Sequence, residues 1–353
     1  MPDRIRAGFI GCGSHARRNI FPTLNWAPVE LVATCDLDPE RAETCRRLFG
    51  GLRAYSNHRE MLASEQLDAV FIVTNYDENG RPRYPQLAMD VMRAGCHAWI
   101  EKPPAATSDE IRQMMAVEQE TGRFVLVGFK KVFMPTIERV KDIIGRDEFG
   151  AINTIYTRYP QHIPNEQEKA GAPKTCVGFL DHIAHPGSII TYLGGEIEGV
   201  LHHRSPGGGG FALLHLRSGA SACLHFAAGM SGTSPLERVE VVGSGANVVV
   251  DNGVRLTYYR PGGRGPGGYG RAVNFMGDEA HAPLLWEPEF SLGQLYNKGL
   301  FLLGYYQEVA EFAQCILEGR RPARGSLQHA LEVTKLYEAL LGPEDAWVPV
   351  APG

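Results

Sequence analysis

The chain has 353 residues, 44% of them hydrophobic, and a formal net charge of −5. That length suits two domains sharing an interface, and the mild acidity excludes the electrostatic footprint of a nucleic-acid or anionic-membrane binder. No basic segment followed by an apolar one opens the chain, and no apolar run approaches the ~18 residues that span a bilayer, so a soluble cytoplasmic protein is expected. Seven scattered cysteines with no C-x-x-C read as reduced and structural.

The first apolar run, Ile5 to Ile10, stops at Gly11-Cys12-Gly13-Ser14-His15-Ala16. A second run, Val29 to Cys35, ends at Asp36. Strand, glycine turn, helix, strand and acid, in that order, form a dinucleotide-binding pattern. Gly11 permits the tight turn, Gly13 lets backbone approach a pyrophosphate, and Ala16 allows close helix–strand packing. The following helix N-terminus offers free N–H groups to phosphates. Asp36 can accept hydrogen bonds from ribose hydroxyls and would repel a 2′-phosphate, so NAD is favoured over NADP. Cys12, inside this loop, is expected to be sensitive to alkylation.

Strand and helix keep alternating to about residue 130. Asp38 with Pro39, Asn57 with Glu60, and Thr107 with Glu110 read as helix starts. Ala69 to Val73, Ala98 to Ile100 and Phe124 to Val127 read as buried strands. This is a doubly wound half, residues 1–130. The pattern changes near Pro135. A helix is followed by strand candidates at Thr154–Tyr159, Gly199–His203, Phe211–Leu216, Ala220–Ala227, Val239–Val242, Val248–Asp251 and Arg255–Tyr259, with a hairpin turn at Ser218-Gly219. Residues 131–353 are therefore expected to form an α+β domain on a large, mostly antiparallel sheet, closed by helices near Tyr305–Glu318 and Leu327–Leu341. The glycine-rich stretches at 207–210 and 262–270 read as loops.

Two constellations carry chemistry. Glu101-Lys102-Pro103-Pro104 follows a strand directly, and ligands in open α/β sheets bind beyond the carboxyl ends of strands. Lys102 therefore stands where a nicotinamide and substrate should meet, suited to proton transfer or to holding a reacting hydroxyl. The second is Asp181-His182-Ile183-Ala184-His185. On a helix, Asp181 and His185 share a face, and a carboxylate beside an imidazole orients a base. The plainer alternative is an Asp N-cap and a packed His. A metal site from Asp181, His182 and His185 lacks a fuller ligand set, and no metal is expected. His202, His203, His215 and His225 read as structural or exposed.

Together these features resemble the Gfo/Idh/MocA oxidoreductases, the group of glucose–fructose oxidoreductase and inositol dehydrogenases. The resemblance is carried by the glycine loop, Asp36, Glu101-Lys102-Pro103, Gly128-Phe129-Lys130-Lys131, Asp181-x-x-x-His185, and the ending with Arg321-Pro322 before a last helix. It implies a Rossmann domain joined to an α/β domain with an open sheet. It also implies hydride transfer between NAD and a secondary alcohol or ketone of a sugar, aminosugar or cyclitol. Lys102, Asp181 and His185 are implied as the catalytic trio, with His185 as acid/base. Thr74, Asn75 and Glu101 are implied to line the cofactor, and Lys131 to face a polyol substrate. Assembly as a homo-dimer or homo-tetramer through the open sheet is implied too. Other readings are an NAD-retaining glycosidase using transient oxidation, and a cofactor-binding regulator without catalysis. Departures lie at Asn75–Tyr84, where relatives have a short T-P-x-x-x-H loop, and at Pro186, where they have an acid.

Overall fold

A computed structural model describes residues 4–261, 279, 281–288 and 298–352. The glycine-rich stretch 262–270 lies outside the described residues. Six parallel strands make the first sheet: β1 (Ile5–Ile10), β2 (Val29–Cys35), β3 (Arg53–Tyr55), β4 (Ala69–Ile72), β5 (His97–Glu101) and β6 (Val125–Gly128). Their order is 3-2-1-4-5-6. Helices cover both faces, so β4 and β6 are buried at every position. The chain winds outward from β1 to β3 and then returns to the other side of β1 as β4. The connections leaving the carboxyl ends of the neighbouring strands β1 and β4 thus run to opposite sides, and a crevice opens between them.

The helix starts follow their sequence signals. The Asp38 carboxylate accepts the Glu40 and Arg41 N–H groups ahead of helix Pro39–Phe49. Asn57 caps helix His58–Ser64. Thr107 and Glu110 make a reciprocal capping box on helix Ser108–Thr121. β3 has no sequence signal, because a three-residue edge strand pairs only with β2 and needs no apolar run.

Nine strands make the second sheet: β7 (Ile152–Tyr159), β8 (Ile197–Arg204), β9 (Gly210–Leu216), β10 (Ser221–Phe226), β11 (Arg238–Gly243), β12 (Asn247–Asp251), β13 (Arg255–Tyr259), β14 (Leu284–Trp286) and β15 (Val348–Pro349). Their order is 14-13-12-11-7-10-9-8-15. Every pair is antiparallel except β7 with β10. The α/β class, a doubly wound parallel sheet followed by an α+β part on a large antiparallel sheet, is what the structure shows. Strand alternation is regular: Ala212, Leu214 and Leu216 of β9 are buried, and Phe211, Leu213 and His215 are exposed. The buried face packs on helices Val177–Gly194 and Leu327–Leu340. The opposite face leaves Phe211 and Leu213 about half exposed, with Trp347 packed on His215.

The chain ends by returning to the first sheet. Helix Tyr305–Leu317 inserts Phe312 between Phe71 and Phe124, both edge-on to it at 5.4 and 5.9 Å. The Gly325 carbonyl accepts the Val127 N–H at 2.7 Å, which satisfies part of the β6 edge. A division of the chain at residue 130 assigns this helix to the second unit, yet its buried side chains belong to the first core.

Candidate active site

The glycine loop sits at the top of β1, in the crevice. Gly11 has φ +95°, and a Cβ there would lie 1.9 Å from the Val73 carbonyl oxygen, so only glycine fits. A Cβ on Gly13 would meet nothing within 4 Å, because the space above that residue is open. Ala16 is buried and begins the helical segment that follows. Asp36 has a task that its place in the sequence does not reveal. Its Oδ2 accepts the Cys12 N–H at 2.7 Å and its Oδ1 accepts the Asp38 N–H at 3.0 Å. The same carboxylate that can meet a ribose therefore also fixes the glycine loop.

Two adjoining cavities occupy the crevice. The larger, about 1060 Å³, is lined by Gly11, Gly13 and Asp36 at one end and by Thr74 and Asn75 at the other. The smaller, about 260 Å³, continues from Gly13 past Ser14, His15 and Ala16 to Glu101, Lys102 and Asp181. Gly13, Thr74 and Asn75 line both. Thr74 Oγ1 is buried without a hydrogen-bond partner in the protein. An open cradle over Gly13, an unpaired hydroxyl midway and a carboxylate at the far end fit an extended dinucleotide such as NAD. Among the described residues, no cluster of three His, Cys, Asp or Glu side chains is arranged to hold a metal ion.

The smaller cavity holds the titratable groups. Lys102, just past β5, donates from Nζ to Asp181 Oδ2 at 2.9 Å. The Tyr76 hydroxyl donates to Asp181 Oδ1 at 2.7 Å. Burial alone would raise the Asp181 carboxyl, but the charge and hydrogen bond of Lys102, then the Tyr76 bond, outweigh it and hold the carboxyl below its ordinary value. Beneath them His15 Nε2 bonds Glu101 Oε1 at 2.8 Å, and Glu101 Oε2 accepts the Lys102 N–H.

Asp181 and His185 share helix Val177–Gly194, which starts four residues before Asp181 and runs on through Pro186. Asp181 is therefore not an N-cap. Its oxygens accept from Tyr76 and Lys102, and no hydrogen bond joins it to His185 among the described residues. The His185 ring is buried beside Tyr159, with ring centroids 5.7 Å apart. Burial first, then the positive charges of Lys102, Lys131 and Lys130, hold its pKa well below the ordinary histidine value.

Lys131 does not line either cavity. It is buried in an ion pair with Glu237. Its neighbour Lys130 donates to the Tyr305 hydroxyl at 2.7 Å, and burial with Lys131 pushes its pKa down to about 8. Sequence reasoning missed Tyr76, Tyr159, Tyr305 and Glu237 because nothing local marks them. Cys12 is a further correction. It is fully buried, its Sγ faces the Cys35 carbonyl at 3.9 Å, and a Cys45 contact with burial pushes its thiol far up. A buried thiol is a poor nucleophile.

Part of the chain is similar to known proteins. Residues 5–129 match the model of an oxidoreductase family with an NAD-binding Rossmann fold, GFO_IDH_MocA. D-apiose dehydrogenase of Paraburkholderia graminis is 33% identical over 153 residues, 43% of this chain and 39% of that protein. Inositol 2-dehydrogenase of Ralstonia nicotianae is 30% identical over 198 residues, 54% of this chain and 55% of that protein. The chain thus spans about half, or less, of the length of these two curated relatives. A dehydrogenase from Chromobacterium violaceum shares the fold, with TM-score 0.77, 23% identity, and coverage of 96% of this chain and 94% of that one.

Six of the seven cysteines are buried and Cys223 is partly exposed. In native protein, Ellman's reagent should label Cys223 at most, and Cys12 only after denaturation. Peptide mapping of the labelled protein checks this; rapid native labelling of Cys12 would contradict its burial.

Proposed function

We propose that the chain, whose residues 5–129 match the Gfo/Idh/MocA oxidoreductase model, is an NAD-dependent dehydrogenase of a secondary alcohol on a sugar, aminosugar or cyclitol. The observation that carries this reading is the Lys102–Asp181 pair, 2.9 Å apart, in a cavity that opens onto the glycine loop. Bound NAD would supply the hydride acceptor. Gly11, Gly13, Ser14, His15 and Ala16 would face its pyrophosphate, Asp36 a ribose, and Thr74, Asn75 and Glu101 the span between ribose and nicotinamide. Lys102 holds the reacting oxygen through its ammonium group. Asp181 keeps that ammonium in place and offers lone pairs to a neighbouring hydroxyl. His185, neutral at ordinary pH, takes the hydroxyl proton. Lys131, paired with Glu237, shapes the substrate side from within the protein. Net NADH formation on a panel of polyols and aminocyclitols tests the reading and separates it from an NAD-retaining glycosidase or a regulator, which would show none.

Lys102→Ala should lower turnover by on the order of a hundredfold while NAD affinity stays within a few fold. His185→Ala should lose as much, and its pH profile should lose the acid limb. The limb itself should lie below the ordinary histidine range. A depressed pKa keeps the base neutral, and the oxidation running, until the pH falls past it. Steady-state kinetics across pH check both; near-normal turnover in both variants would remove these residues from the mechanism.

NAD should bind more tightly than NADP by at least about tenfold, which is roughly 1.4 kcal/mol. Asp36→Ser also removes the acceptor of the Cys12 N–H, so it should weaken both cofactors. Leu37→Arg, at an exposed position lining the larger cavity, should narrow the preference without that side effect. Calorimetry of the two cofactors against each variant decides the point, and tighter NADP binding by the unaltered chain would overturn it.

The uncovered face of the second sheet supports assembly as a homo-dimer or homo-tetramer through it. Phe211, Leu213 and Trp347 are exposed there, an apolar row that a second copy would cover. The pair Phe211→Glu and Leu213→Glu should convert the assembly to monomer in light scattering with little loss of thermal stability. Unchanged mass would place the interface elsewhere.

A further inference from the structure

Tyr76 sits on the segment between β4 and helix Tyr84–Arg93. That segment is a built hairpin. Tyr76 pairs with Pro82 as an isolated antiparallel bridge. The Asp77 carboxylate accepts the N–H groups of Asn79 and Arg81 at 2.9 and 2.8 Å. Arg81 reaches Glu110 at 2.8 Å. At the tip, Gly80 has φ +73°, and a Cβ there would come within 2.7 Å of Lys174 Cα and Val177 Cγ2. The hairpin is thus docked on the start of helix Val177–Gly194, and the docking fixes where the Tyr76 hydroxyl points.

We propose that Tyr76 is a positioning residue. Its hydroxyl holds the Asp181 carboxylate turned toward Lys102, so that Asp181 serves the ammonium and leaves His185 without an acid partner. The geometry is a three-member chain, Tyr76 to Asp181 to Lys102, with one partner on each carboxylate oxygen. A carboxylate with one oxygen released could swing to the imidazole one helical turn away. His182 Nδ1, 3.7 Å from Asp181 Oδ2, is the other cation-forming group against it. Glu101 and Tyr84 are the acidic groups nearby. Around His185 itself stand Lys102, Lys130, Lys131 and His182, all of which oppose its protonation, and the Tyr159 ring. Asp181 is the one anion on the same helix face, and Tyr76 keeps it away. Because burial, then Asp181, pushes the Tyr76 phenol up, it remains a donor throughout the working pH range.

The effect on turnover rests on the dehydrogenase reading; the effect on His185 does not. The first measurement is therefore made without substrate, by titrating His185 in histidine-labelled protein by NMR, with His185→Ala for assignment. Tyr76→Phe removes one hydroxyl and keeps the ring. It should raise the His185 midpoint by about one pH unit, since a carboxylate becomes available to the imidazolium. Asp181→Asn in the Tyr76→Phe background should abolish the rise. Gly80→Val, which pushes the hairpin off Lys174 and Val177 with Tyr76 intact, should reproduce it. The second measurement is the acid limb of kcat/KM on the best polyol of the panel. It should move up with the NMR midpoint in Tyr76→Phe, with NAD affinity unchanged. An unmoved His185 midpoint in both Tyr76→Phe and Gly80→Val overturns the proposal. A moved midpoint with no polyol turnover by the unaltered chain overturns the dehydrogenase reading and leaves the positioning role standing.

Discussion

One ion pair joins the two halves of the site. Lys102 comes from the end of a strand in the parallel sheet, and Asp181 from the second turn of a helix that lies under the antiparallel one. Their 2.9 Å contact exists only when both sheets are packed as the structure shows. Neither partner is well exposed, so each would be a costly uncompensated charge without the other. The cavity beside the glycine loop takes its polar floor from this pair. The crevice at the top of β1 and β4 supplies the space, and the ion pair closes its far end.

Charge around that floor is divided with some economy. Three lysines, Lys102, Lys130 and Lys131, approach one region, and each has a different partner. Lys102 has a carboxylate it shares with a tyrosine, Lys131 has Glu237 to itself, and Lys130 has only a neutral phenol. Burial, with the charge of Lys131, pushes the pKa of Lys130, whose contact is a phenol, down to about 8. Glu308, fully buried nearby with neither oxygen bonded, is driven by burial and by Glu101 toward its neutral acid form. Burial first, and then the crowd of cations, disfavours a charge on His185 as well. Electrostatics here act less by pairing every group than by deciding which ones carry charge at all.

What could be read from the residues follows from how local each feature is. The glycine loop, Asp36, the helix caps and the Ser218-Gly219 turn are each specified within a few positions, and they stand where the chain order puts them. The apolar runs of β1, β2 and β4 are legible because two covered faces demand continuous hydrophobicity. β3, β14 and β15 are short edge or near-edge strands whose pairing comes from a neighbour, not from their own composition. Asp181 and His185 lie on one helix, and their spacing suggested a mutual bond. Asp181 bonds instead to Tyr76, more than a hundred residues away in sequence, and to Lys102. The family resemblance implies Lys131 near substrate, and a distant Glu237 holds it in a buried pair. Side-chain partners brought from far along the chain are the part that spacing cannot encode.

The return of helix Tyr305–Leu317 to the first core has a consequence for how the protein is made. Phe312 completes a ring cluster with Phe71 and Phe124, and Gly325 bonds the free edge of β6. During translation, a ribosome has released the whole parallel sheet long before these residues emerge. Until they do, one flank of that sheet keeps its aromatic side chains in water and its edge strand unpaired. The nascent chain therefore carries an incomplete half through the synthesis of the entire antiparallel sheet, and the half built first is among the last to be sealed.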